Sequence, residues 1–103
     1  MRLWQQGEPA ELEQVRARSR RATQAINAGE TIRFGGISMS STGLEWNGHF
    51  LPFADIVRIH HDRDKLYCQL HAGAYSCSMF TIEDRAVAVR VAIGLHRVAT
   101  GRR

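Results

Sequence analysis

His60, His61, Asp62, Asp64, Cys68, His71 and Cys77 fall within residues 60–77, and each is a side chain of metal-ligand type. Ligands of one ion must converge. On an extended chain neighbouring side chains point to opposite faces, so His60 diverges from His61 and Cys68 from His71. No CxxC, HExxH or calcium-loop spacing is present. The pattern predicts polar turn residues beside two thiols, with no metal and no cofactor. A hairpin turning through Ala72-Gly73 would set Leu70 against Tyr75, Cys68 against Cys77 and Leu66 against Met79, all on one side of the sheet. A one-residue slip would exchange that face for serines. Facing cysteines can oxidise, often with strain. In a reducing compartment they serve as small apolar core residues. No GxSxG elbow occurs, and Gly35-Gly36 leads into a strand rather than a helix, so it is no phosphate loop. The expectation is a protein that is not an enzyme.

Two other sets of residues carry binding chemistry. Arg16, Arg18, Arg20 and Arg21 form the densest basic cluster, with Arg16 and Arg20 four apart on a helix and Arg18 and Arg21 three apart. They predict either a solvated helix face or a stripe that contacts the phosphates of nucleic acid or anionic lipid. Near the C-terminus, Ile82, Ala86, Val89 and Ile93 make one apolar stripe. Val87, Val91, Leu95 and Val98 make another on nearly the opposite side. A helix lying on a sheet needs only one stripe. Either Leu12, Val15 and Ile26 of an N-terminal helix cover the second stripe, or a partner protein or second copy does. The reading drawn is a partner interface at Val87, Val91, Leu95 and Val98.

The elements that must position these residues follow from length, composition and periodicity. The chain has 103 residues, 44% hydrophobic and 23% charged, as in an ordinary small globular domain rather than a disordered one. Such a domain buries roughly 60–65% of its unfolded surface, enough for a modest core. Net charge is +4. All the basic residues but Lys65 are Arg, a bias that suits carboxylate and phosphate recognition and is also produced by a GC-rich coding sequence. Met1-Arg2-Leu3-Trp4 runs straight into polar residues, so no signal peptide is expected. The longest mostly apolar stretch, 86–95, spans about half a membrane and contains Arg90. A cytoplasmic location is the expectation.

Residues 9–28 read as a helix, with Pro9 at its first position and Gly29 just past its end. From Glu30 the period changes to two. Short strands are predicted around 31–34, 37–40, 44–46 and 49–51, with Asn47-Gly48 as the tight hairpin turn and Pro52 confining the last to an edge or an end. Residues 53–56 form one turn, 56–61 a strand, and 66–79 a hairpin. On 56–61, Ile56, Arg58 and His60 should share one face. A helix over 82–99 closes the chain, with Thr81 and Asp84 as a capping box. The fold class predicted is α+β: an N-terminal helical segment (1–30), then a bent antiparallel sheet or partial barrel of about 5–7 short strands with a C-terminal helix packed on it (31–103), in one globular unit.

The run "ISMSSTGLEW" followed by "NGHFLPFADIVRI" resembles the bacterial pleckstrin-homology-like (PH-like) pattern. That pattern has a strand, a turn glycine, a strand, a tight hairpin, an aromatic or Pro-aromatic pair, a small-Asp-Ile triplet and a further strand. The matching residues are Gly43, Pro52, Phe53, Asp55 and Ile56, and the similarity extends over about residues 31–99. It implies a bent sheet or partial barrel closed by the C-terminal helix; the family's barrel normally has seven strands, the strand region here is shorter, and the helix at 9–28 stands where the family often begins with a strand. It also implies a binding or scaffolding module, without implying phosphoinositide recognition. Residues and resemblance together predict a non-catalytic protein-interaction module acting through the apolar helix face. The alternative is a basic surface that contacts nucleic acid or anionic membrane through the N-terminal arginines.

Overall fold

A computed structural model describes residues 3–101, with side chains from residue 11 onward. The chain begins with helix α1, Leu3–Asn27. It starts earlier than Pro9, which lies in the helix interior, where a proline has no amide to give to the carbonyl four residues back. Its end is the one expected. Gly29 takes φ 105°, its amide donates to the Ile26 carbonyl at 3.0 Å, and the Glu30 amide donates to the Ala25 carbonyl at 3.0 Å. This is a Schellman cap, and glycine enters its left-handed position without steric cost.

Four strands follow as an antiparallel meander: β1 Ile32–Phe34, β2 Ile37–Met39, β3 Gly43–Trp46 and β4 His49–Pro52. Asn47 (φ 51°) and Gly48 (φ 77°) make the β3–β4 turn, whose twist matches the flanking strands. Gly35-Gly36 has a packing reason beyond its turn. A Cβ on Gly35 would lie 2.7 Å from the Thr81 carbonyl oxygen, because residues 81–83 cross there, with the Gly36 amide donating to that carbonyl at 2.7 Å. Pro52 ends β4, and a single 3-10 turn, Phe53–Asp55, drops the buried Phe53 ring into the corner between the sheets.

The second sheet holds β5 Ile56–His61, β6 Lys65–Leu70 and β7 Ala74–Ser78 in that order. Two expectations fail here for local reasons. A bulge between Ile56 and Arg58 lets Ile56 pair with Leu70 and Ile59 with Cys68. Ile56, Ile59 and His61 therefore share the inner face, and the strict alternation predicted for this strand is broken. On the next hairpin the apolar face is as predicted but the register is shifted by two residues. Cys68 opposes Tyr75, and Cys77 opposes Leu66. A shift of two keeps every side chain on its face. It also allows a tighter turn, closed by the Leu70 amide donating to the Gly73 carbonyl at 2.7 Å.

A 3-10 turn, Met79–Thr81, capped by the Ser78 hydroxyl, leads into α2, Arg85–Thr100. The capping box is absent. The Thr81 hydroxyl donates to the Ser78 carbonyl at 2.8 Å, Ile82 bridges to Gly35, and Asp84 caps α2 from a left-handed conformation without a side-chain bond to the helix amides. The fold is α+β, with an N-terminal helix, antiparallel sheets of four and three strands, and a C-terminal helix. One core joins them. Ile26 of α1, Phe34 and Leu44 of the first sheet, Leu66 and Cys68 of the second and Val91 of α2 are all buried in it. No helix among the described residues is long and apolar enough to cross a membrane.

Candidate functional site

The expected partner interface does not lie on the surface. Val87 and Val91 are each 1% exposed and Leu95 is 5% exposed; only Val98, at 81%, lies open. The buried side of α2 is broad, running through Val87, Ala88, Val91, Ala92, Leu95 and His96, because α1, the 53–55 turn and β5 all pack on it. His96 is held inside the core by a 2.6 Å contact from Nε2 to the Ile56 carbonyl. Three of the four residues of the expected interface, Val87, Val91 and Leu95, belong to the core. Of its expected cover, Ile26 is fully buried, Val15 half-buried and Leu12 exposed.

The other stripe is only partly covered, with Ile82 and Val89 buried. Ala86 is exposed, Ile93 is half-buried, and Val89 forms part of the floor of a groove between α1, α2 and the end of β5. Three cavities compose that groove. The first, about 420 Å³, is lined by Arg16, Ser19, Arg20, Thr23, Gln24 and Arg90. The second, about 360 Å³, is mostly apolar, with Leu12, Val15, Met79, Ala86 and Val89 beside His61, Arg85 and Arg90. The third, about 350 Å³, is lined by His61, Val89, Arg90, Ile93, Gly94 and Arg97. Arg90 lines all three. Five arginines border the groove, and among the described residues no carboxylate does. Guanidinium groups without a local counter-charge suit a carboxylate or phosphate, which they grip through paired hydrogen bonds.

The N-terminal arginine cluster is therefore divided. Arg16 and Arg20 face the groove. Arg18 is committed elsewhere, with Nε and Nη2 donating to the Asp84 carboxylate at 3.1 and 3.0 Å. Arg21 is exposed and lines none of the three cavities. Sequence reasoning missed Arg90, Arg97 and Arg85, and weighed His61 only as a metal-ligand type. A signal was present, since Ala86, Arg90, Ile93 and Arg97 recur at spacings of four, three and four on α2. Weighing only apolar residues hid it.

The residues of metal-ligand type do not assemble. Among the described residues no three of His, Cys, Asp or Glu gather around one point. Asp62 instead organises its turn. Its Oδ1 accepts from the Asp64 and Lys65 amides at 2.8 and 2.9 Å, and its Oδ2 from the Tyr67 hydroxyl at 3.1 Å. The amides of Lys65 and Asp64, above all, hold its carboxyl below the usual range. The bond to Asp62 raises the Tyr67 phenol, whose ring stacks on His60 at 4.9 Å. Cys68 and Cys77 are free and buried. Burial, with Cys77 nearby, pushes the Cys68 thiol up to about 12, and burial pushes Cys77 up to about 11. Thiols held protonated in this way are poor nucleophiles.

A model of a family of unknown function, DUF6585, matches residues 7–88. The chain belongs to that family. The matched stretch covers all seven strands and the first residues of α2, and ends before Arg90 and Arg97. No curated protein and no solved structure matches the chain.

Proposed function

We propose that this member of the DUF6585 family is a non-catalytic, PH-like binding module that recognises an anionic partner in the groove between α1 and α2. Several short antiparallel strands closed by one C-terminal helix fit the PH-like outline, which supports that part of the reading. The observation that carries the binding proposal is the convergence on Arg90. Three cavities share this one side chain, and among the described residues no acidic side chain lines any of them. Cys68 and Cys77 are buried, and Asp62 and Arg18 are engaged in local structure. Self-association through Val87, Val91 and Leu95 loses its ground, because those side chains are already covered within the chain.

The test is binding of fluorescent anionic probes at low salt: an acidic peptide, a short DNA duplex, and vesicles containing phosphatidylglycerol. At least one should bind, weaken as salt is raised, and lose about tenfold or more in affinity with Arg90→Glu, since one lost charge pair is worth more than 1.4 kcal/mol when partly desolvated. Arg90 is exposed, so the variant should remain folded. Absence of binding by all three probes overturns the reading.

A further inference from the structure

The three parts of the groove differ in chemistry, and so must the ligand that fills them. The part bordered by Arg16, Arg20, Thr23 and Gln24 offers guanidinium, hydroxyl and amide groups. The part floored by Leu12, Val15, Met79 and Val89 is mainly apolar. They meet at Arg90. A simple polyanion would satisfy the arginines and leave the apolar floor wet. An acyl chain requires an enclosed apolar tunnel, whereas this cavity of about 360 Å³ is open to solvent and has Arg85 and Arg90 at its rim.

Gly94 adds an independent observation. It sits within α2, where glycine is less favourable than alanine by roughly 0.5–1 kcal/mol. Nothing lies within 4 Å of the position its Cβ would occupy, so packing inside the chain does not require it. It lines the groove together with Arg90 and Arg97. A bare helix backbone at an open groove lets a second backbone approach closely.

We infer that the ligand is an acidic peptide segment with one large apolar side chain among its carboxylates. This rests on the anion-binding reading above and names its partner class. The apolar side chain sits over Leu12 and Val89, the carboxylates meet Arg16, Arg20, Arg90 and Arg97, and the peptide backbone crosses α2 at Gly94.

The experiment titrates the full chain against two fluorescein-labelled peptides of Asp and Glu, one with a single central Leu and the other with Ser in its place. The Leu peptide should bind about tenfold more tightly, the effect of burying one such side chain. Leu12→Ser should shrink that ratio without removing charge. Gly94→Leu should raise the melting temperature yet weaken the Leu peptide, because the new side chain occupies the crossing point. Equal affinity for the two peptides overturns the inference and leaves the anion-binding reading standing. So does binding of DNA or vesicles, sensitive to Arg90→Glu, with neither peptide bound. Failure of every probe removes both readings.

Discussion

Val91 and Arg90 are neighbours in sequence and belong to opposite sides of one helix. The side bearing Val87, Val91 and Leu95 is sealed by α1, the 53–55 turn and β5. The side bearing Ala86, Arg90, Ile93 and Arg97 is left as the wall of a groove. The more apolar stripe is the buried one, as the hydrophobic effect requires when both compete for the same cover. The remaining stripe is half apolar and half cationic, a composition that is stable in water and able to bind. A second apolar stripe on a helix is thus no evidence of a partner until every element of the chain has been placed.

The largest effect that tests this contrast comes from two adjacent charge substitutions. Val91→Asp puts an unpaired carboxylate where the side chain is 1% exposed. It should cost about 4 kcal/mol or more, a large part of the 5–15 kcal/mol typical of a domain. Arg90→Glu should leave the melting curve nearly unchanged. Thermal unfolding followed by circular dichroism reads both. A folded Val91→Asp with an altered oligomeric state would reverse the assignment of the two faces.

Next in size is a pH effect confined to the sealed side. Free thiols in an unfolded chain titrate near pH 8.5–9, whereas burial raises Cys68 to about 12 and Cys77 to about 11. Above about pH 9 the unfolded state therefore releases protons that the folded state keeps, and stability falls as pH rises, until the folded thiols themselves ionise. The pair should cost about 2–3 kcal/mol by pH 10. Denaturant melts across that range should fall more steeply for the native sequence than for Cys68→Ala/Cys77→Ala. Equal slopes would mean that the thiols are not desolvated.

What the sequence made legible follows the range over which each feature is determined. Gly29, Asn47-Gly48 and Pro52 act within a few residues, and the structure uses each as local chemistry dictates. The inward face of β6 and β7 was legible too, because burial enforces the alternation. Their register was not, since a shift of two residues preserves that face. The Thr81–Asp84 box failed because residues 79–82 are taken up by a 3-10 turn and a bridge to Gly35, distant in sequence, so α2 begins only at Arg85. The groove was the least legible feature. Its walls come from residues 12–24, 61, 79 and 85–97, and only the docking of α1 across α2 brings them together.

The smallest effect asks whether the N-terminal arginines divide as the structure divides them. Arg18 holds Asp84 through a two-bond contact in which both side chains are 41% exposed. Solvent screening limits such a pair to about 0.5–1 kcal/mol, so Arg18→Ala should lower the melting temperature by a few degrees at most. It should leave peptide affinity unchanged, because that guanidinium already has its carboxylate. Arg16→Ala should do the reverse, with no resolved change in melting and several-fold weaker binding, because its charge borders the groove and makes no salt bridge among the described residues. On the sequence the two are equivalent members of one basic run. If both variants weakened binding alike, the run would be acting as a diffuse cationic face, and convergence on Arg90 would carry no specificity. Opposite responses would mean that the fold has assigned one arginine to tie α1 to the start of α2 and another to meet the ligand.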